Sequence, residues 1–477
     1  MKEFTPAPIL RPRHCVGGLL DIPAGRYHEG KYGDMILNGG FSNFMGFGGR
    51  GNTFKTTLAL GIGFIVLARY DQTSLTVYDT EITFAWDRLE DMASRHPGLS
   101  YDGLVEEKRL LLTSGGEYSG NEWWDIIRTR SKERAKAMRG ISVETPFVTK
   151  DGSPIKIAPT EIHFLDSMSN LETDAVSDIY DKNQIDAGAA NTDALRGAAI
   201  KTRLVMQVPS VTSQGGMSLM ATAHVGDELK LDPYAPAKQQ LAFLKKGLKF
   251  KNVPEKFTFL SSNTWYIADA SPLVNQSTKA AEYPLDGFNN MTGDTDLQEL
   301  TLINVRSKSG PTGHILTLVV SQTEGLLPHL SEFHYLKKRK DKFGLLGPEG
   351  INKSYRVALY PEVLLQRTKL RGMIDEDAKL QRALEITTEM CQIYDHWPDF
   401  PSSHKVDPED LYKKLSDMGY DWDILLSTRG YWTFDHYKHP VNPLSTMDLI
   451  NMYHGIYIPF WYPNKDKLKL EKKESKQ

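Results

Sequence analysis

The feature that constrains this chain most is a turn, Gly49-Arg50-Gly51-Asn52-Thr53-Phe54-Lys55-Thr56, followed by Thr57. An apolar run over Phe41–Phe47 leads into it, and the segment leading out, Lys55–Tyr70, is apolar nearly all round. A helix without a polar face has to be buried, and a strand feeding it through a tight turn lays it against a sheet. Small residues let successive backbone N–H groups curl around phosphate oxygens, and the helix N-terminus adds partial positive charge. In that geometry Lys55 reaches the terminal phosphate and the Thr56 hydroxyl can ligate Mg²⁺. Phe54 departs from the usual pattern, which has glycine immediately before the lysine. A glycine-rich turn ahead of a core helix is the plainer reading of the same residues.

Strand-like runs at Ser74–Tyr78, Arg109–Thr113, Glu161–Leu165 and Met217–Ala223 alternate with helical patterns at Glu122–Arg139 and Thr192–Val208, the second ending near Pro209. Ser119 and Glu122 have capping-box spacing, and Lys150-Asp151-Gly152 marks a hairpin within Thr145–Ile157. Such alternation predicts an α/β fold with a mostly parallel central sheet flanked by helices. Two of the runs end in acids, Leu75-Thr-Val-Tyr-Asp79-Thr-Glu81 and Ile162-His-Phe-Leu-Asp166. Ligands of open α/β sheets bind at the carboxyl ends of strands. Asp166 is therefore expected beside Mg²⁺, and Glu81 as the base that orients an attacking water. The whole set predicts a site for ATP and Mg²⁺. Runs at Thr264–Ala268, Gln298–Val305 and His314–Val320 continue the sheet, and beyond about residue 326 the pattern becomes helical, as at Asp377–Tyr394 and Leu411–Met418. The expected division is an N-terminal arm or oligomerisation segment over 1–35, an ATPase core over 36–325, and a smaller α+β C-terminal accessory domain over 326–477 ending in a basic tail.

Charge limits what else the chain does. Its 57 Lys and Arg against 60 Asp and Glu give a net −3, so nucleic acid has to be held by local patches rather than by a global field. One such patch is Asp227–Asn252, read as having no strand of its own, with Lys230, Lys238, Lys245, Lys246, Lys249 and Lys251 among Tyr234, Phe243 and Phe250. Cations neutralise phosphates and rings stack on bases, a mixture suited to single strands. An exposed loop with ordinary lysines is the alternative. The longest apolar stretch, Leu58–Ala68, is too short to cross a membrane. The N-terminus lacks a signal-peptide pattern, and Cys15 and Cys391 cannot build a disulfide framework. A cytoplasmic protein without a membrane partner is expected. Cys391, His396, Trp397 and His404 have no metal-ligand spacing.

Phe54-Lys55-Thr56, Tyr78-Asp-Thr-Glu81, Leu165-Asp-Ser-Met-Ser-Asn-Leu171 and the strand ending in Ala223-His224 together resemble the RecA-type recombinases. The resemblance is strongest to the phage UvsX branch, where Phe likewise precedes the lysine. Leu20-Asp-Ile-Pro-Ala-Gly-Arg-Tyr27 is similar to the segment that precedes the core in that branch. The likeness extends with gaps over about residues 18–325. It implies a RecA-like P-loop ATPase core in which His224 senses the γ-phosphate. It also implies that Arg306 and Lys308 reach a neighbouring subunit's nucleotide, and that loops 171–193 and 227–252 face DNA. Lys238, Phe243, Lys245, Lys246 and Lys249 are the implied DNA contacts. The first loop is acidic, with Glu172, Asp174, Asp178, Asp181 and Asp186, a poor match to phosphates. The implied activity is DNA-dependent ATP hydrolysis coupled to pairing and strand exchange, on a homo-oligomeric filament over single-stranded DNA with homologous duplex DNA as second substrate. A loader protein and a single-strand-binding protein are implied further partners, and a phage source implies the host bacterial cytoplasm. A ring-forming helicase on the same core, or a catalytically degenerate DNA-binding scaffold, remain open alternatives.

Overall fold

The structure is a computed structural model that describes residues 10–468 apart from 83–84, 97, 115–117, 173–189, 229–233, 235, 276, 286–292, 351–352, 397–399, 464 and 466–467. Its centre is a large sheet in the order Leu110–Ser114, Ser74–Asp79, Glu161–Asp166, Met217–Asp227, Phe44–Gly49, Asn263–Pro272, Leu297–Ser307, Ile315–Ser321, Gly325–Leu326. The six strands from Leu110–Ser114 to Asn263–Pro272 run parallel. The last three are antiparallel. Every residue of Phe44–Gly49 and of Glu161–Asp166 is buried, the pattern of parallel strands covered on both faces. The chain is thus a mixed α/β protein with a mostly parallel central sheet flanked by helices.

Each expected run of the core forms, with shifts that have local causes. The first strand begins at Phe44 rather than Phe41, because the backbone ahead of it is paired with the N-terminal segment: the Phe41 N–H donates to the His14 carbonyl at 3.1 Å. The Lys55–Arg69 helix is buried along most of its length. Its Gly61 is required by packing, since a Cβ there would lie 2.5 Å from Leu326 Cβ. The capping box of Ser119 and Glu122 starts the Gly120–Ile141 helix, and Val143–Val148 pairs antiparallel with Pro154–Ile157 around the expected hairpin. The helix expected to end near Pro209 instead runs Ala190–Gly215. Leu204, Val205, Val208 and Thr212 form one buried stripe, and that burial outweighs the single backbone hydrogen bond that proline removes.

Residues 10–38 do not hang free. Cys15, Val16, Leu19, Leu20 and Ile22 are buried, the chain forms a Gly18–Ala24 helix and an Arg26–Glu29/Met35–Asn38 hairpin, and Gln392 Nε2 donates to the Leu19 carbonyl at 3.0 Å. The region after 326 holds the expected Ala378–Asp395 and Pro408–Asp417 helices. It also holds a three-stranded antiparallel sheet, Leu345–Glu349, Ser354–Val357 and Tyr360–Leu365, that the sequence pattern did not announce. Trp432 lies in an irregular segment; its Nε1 donates to the Arg13 carbonyl at 2.8 Å and its ring lies 4.9 Å from that of Tyr70. At the far end of the Lys55–Arg69 helix, Arg69 Nη2 lies 3.5 Å from Glu385 Oε1. Glu385 is also paired with the buried Arg382.

Candidate nucleotide site

Parallel pairing lines the strand ends up. Asp79 lies opposite Asp166, Leu165 opposite Ala221, and His224 opposite Gly49. Neighbouring strands are about 4.8 Å apart, so the acids, His224 and the phosphate loop share one short edge. The loop itself is tight. A Cβ on Gly49 would lie 2.4 Å from Thr53 Oγ1, and Lys55 folds back so that Nζ donates to the Arg50 carbonyl at 2.8 Å. Phe54 has φ 60°, the left-handed region that glycine normally fills, and its half-buried ring packs onto the main apolar cluster. That packing gives the phenyl group a place in the core, so the aromatic substitution does not cost the loop its shape.

Asp166 is the centre of the edge. The Thr56 and Thr222 hydroxyls each donate to one of its carboxylate oxygens, the Thr80 N–H and hydroxyl donate to its carbonyl at 2.8 and 3.0 Å, and its peptide bond to Ser167 is cis. Burial raises the Asp166 carboxyl above its ordinary range, against the two hydroxyl bonds and Lys55. Burial likewise lowers the Lys55 ammonium, with Asp166 and Glu81 opposing. A cation so placed has its charge stabilised by any anion that enters.

Glu81 faces this edge too. Ser167 Oγ, Asn170 Nδ2 and His224 Nε2 lie 3.1, 2.9 and 3.1 Å from the same oxygen, Oε1. Among the described residues none donates to Oε2, which leaves that oxygen open to a water. His224 is fixed through its backbone: its N–H donates to Ser169 Oγ at 2.9 Å, and its carbonyl accepts from the Lys251 N–H at 2.8 Å. Hard oxygen donors from Thr56 and Asp166 suit Mg²⁺, which keeps several waters and few protein ligands. The residues fit that ion.

No family model matches the chain, and no curated protein does.

Other predicted residues lie apart from this edge. Thr57 is buried and its hydroxyl accepts from Arg88 Nη2 at 2.5 Å, so it faces away from the loop mouth. Arg50 is exposed and pairs with Asp227 at 3.1 Å. Arg306 lies opposite Thr264, which lies opposite Gly46, and Lys308 N–H donates to the Ser262 carbonyl beside Phe44. Arg306 is therefore level with the middle of the loop-bearing strand and Lys308 with its start, about 10 Å or more along the strand from Gly49 at 3.3 Å per residue. The Arg306 guanidinium lies 5.7 Å from the exposed Phe259 ring, and Lys308 Nζ donates to the Leu260 carbonyl at 2.8 Å. Both side chains are thus engaged beside Phe259 and Leu260 rather than at the loop.

The second loop needs a correction. Leu248–Phe250 is a short strand that pairs antiparallel with the end of Met217–Asp227, and Phe250 is a core residue, not a base-stacking one. A Cβ on Gly48 would lie 2.4 Å from the Phe250 ring, so this aromatic packs directly on the loop-bearing strand. Lys238, Lys245 and Lys246 are exposed, Lys249 is half-buried, and Phe243 is 44% exposed. Lys230 and all but the ends of the 171–193 loop lie outside the described residues. Thr222, Ser167, Ser169 and Asn170 were given no role from sequence. Their signals are that Ser167, Ser169 and Asn170 stand within the Leu165–Leu171 motif and that each of the four lies within four residues of Asp166 or His224.

Proposed function

We propose that this chain is a RecA-type, ATP-driven recombination protein that assembles on single-stranded DNA and promotes its pairing and strand exchange with homologous duplex. The observation that carries the reading is the convergence of Glu81, His224, Asp166 and Lys55 on one strand edge around the loop, with Glu81 held by three donors on one oxygen. Lys55 and the loop N–H groups bind the triphosphate, and Thr56 and Asp166 hold Mg²⁺, which supplies charge neutralisation on the phosphates. Glu81 Oε2 accepts the proton of the attacking water. His224 bonds Glu81 while its backbone touches Lys251, so the same residue faces the reacting phosphate and the root of the second loop. DNA-dependent ATP hydrolysis by the purified chain tests this directly; no hydrolysis with or without single-stranded DNA would leave only a scaffold role.

The separation of Arg306 and Lys308 from the loop favours head-to-tail assembly. A group set away from the site of its own chain meets a neighbour's site through a heterologous contact, which repeats into a ring or a helical filament. Mixing Arg306→Ala/Lys308→Ala subunits with Glu81→Gln subunits should restore hydrolysis above either parent, because some interfaces then carry both intact halves. Mixtures that never exceed the parents would refute action in trans. For DNA contact, neutralising Lys245, Lys246 and Lys249 together should lower the slope of log affinity against log salt by about two to three. An unchanged slope would return these lysines to ordinary surface residues.

A further inference from the structure

Lys201 lies in the Ala190–Gly215 helix, outside every motif considered so far. Its ammonium is half-buried and makes no ion pair with a described residue. Instead Nζ donates to three backbone carbonyls, those of Met168 at 3.3 Å, Ser169 at 3.4 Å and Asn252 at 3.2 Å. Burial lowers this ammonium to about 8, with Glu172 opposing. A lysine kept at such a cost to its charge usually has a positional reason.

The carbonyls it joins belong to different segments. Met168 and Ser169 follow Asp166 on the way out of the nucleotide edge, whereas Asn252 closes the lysine-bearing loop. The same two segments are stitched again one residue away, where Ser169 Oγ donates to the Lys251 carbonyl at 2.9 Å and accepts from the His224 N–H. Met168 N–H donates to the Thr222 carbonyl at 3.0 Å, and Thr222 bonds Asp166. A single cation thus closes a hydrogen-bonded path from the carboxylate at the nucleotide to the root of the loop.

We propose that Lys201 is a positioning residue that clamps Met168–Ser169 to Asn252, and that through this clamp the nucleotide and the DNA alter each other's affinity. The inference rests on the function proposed above. Coupling of this kind is reciprocal: whatever factor ATP adds to DNA affinity, DNA adds to ATP affinity.

The test compares single-stranded DNA affinity with ADP and with a non-hydrolysable ATP analogue. In the native chain the ratio should be about five-fold or more; in Lys201→Met it should fall to near one, and in Lys201→Arg, which keeps a cation of similar reach, it should stay near native. A Lys201→Met ratio equal to native would overturn the clamp, and Lys201→Gln replaces that variant if it fails to fold. If the native chain binds no ATP analogue, the proposed function fails by itself. The clamp is then judged by amide hydrogen exchange: Lys201→Met should lose protection at 168–170 and 251–253 together, and loss in neither segment would refute it.

Discussion

Lys55→Ala is expected to lower DNA-stimulated ATP turnover by about 10²–10³-fold, the usual loss when one preorganised charge is taken from a transition state. The ammonium is buried at the loop, and its lowered affinity for a proton reflects burial that Asp166 and Glu81 only partly offset. Removing it leaves those two carboxylates facing the phosphates, while the other cation of the loop, Arg50, is exposed and paired with Asp227. Steady-state hydrolysis over a range of ATP concentrations measures the effect. Because the group acts on the reacting phosphate more than on the nucleoside, the fall should be larger in kcat than in binding. Retained turnover would move the active site elsewhere. The fold should survive, since among the described residues Lys55 Nζ holds only the Arg50 carbonyl.

Arg382→Met should destabilise the chain by about 3–5 kcal/mol, the cost of breaking a buried ion pair, because the Glu385 carboxylate then keeps only its longer contact with Arg69. The Arg382 side chain is 4% exposed, and it pairs with Glu385, itself 9% exposed. Burial works to raise the Glu385 carboxyl, yet Arg382, Arg69 and His329 together leave it below its ordinary value near 4.5. A carboxyl lowered on folding contributes stability above its unfolded pKa and loses it as pH falls through the folded one. Without Arg382 only Arg69 and His329 still oppose burial, so the Glu385 carboxyl rises. The variant's penalty should therefore be largest above about pH 5 and shrink as Glu385 becomes protonated. Denaturant unfolding at several pH values shows whether it does; a penalty independent of pH would mean that lost packing, not charge, is responsible.

The core was legible because its signals are long or doubled. Lys55–Arg69 has no polar face, Glu161–Asp166 is an apolar run with an acid at its end, and Ser119 with Glu122 marks a helix start at two positions. Asp166 and Glu81 could be placed on one edge because parallel strands bring their carboxyl ends together. What escaped the sequence was short or set by tertiary packing. Leu248-Lys-Phe250 alternates over only three residues, and the Leu345–Leu365 sheet is broken by the Gly347-Pro348 irregularity. Pro209 looked like a helix end because the buried stripe that carries the helix past it is visible only against the sheet. Lys201 had no signature at all. A lysine on an amphipathic helix reads as solvated, and only the two carbonyl-bearing segments folded over it give it a role.

One apolar cluster takes in Cys15 and Val16 near the start of the described chain, Leu58–Leu67 behind the phosphate loop, and Trp432 and Leu468 near its end. A shortened protein that stops at residue 325 would lose the cover over Tyr70 and strip Arg69 of Glu385. Its product would be a sticky fragment with bare greasy surface and a stranded charge, not a minimal motor. Any engineering of this protein therefore has to begin from the intact polypeptide.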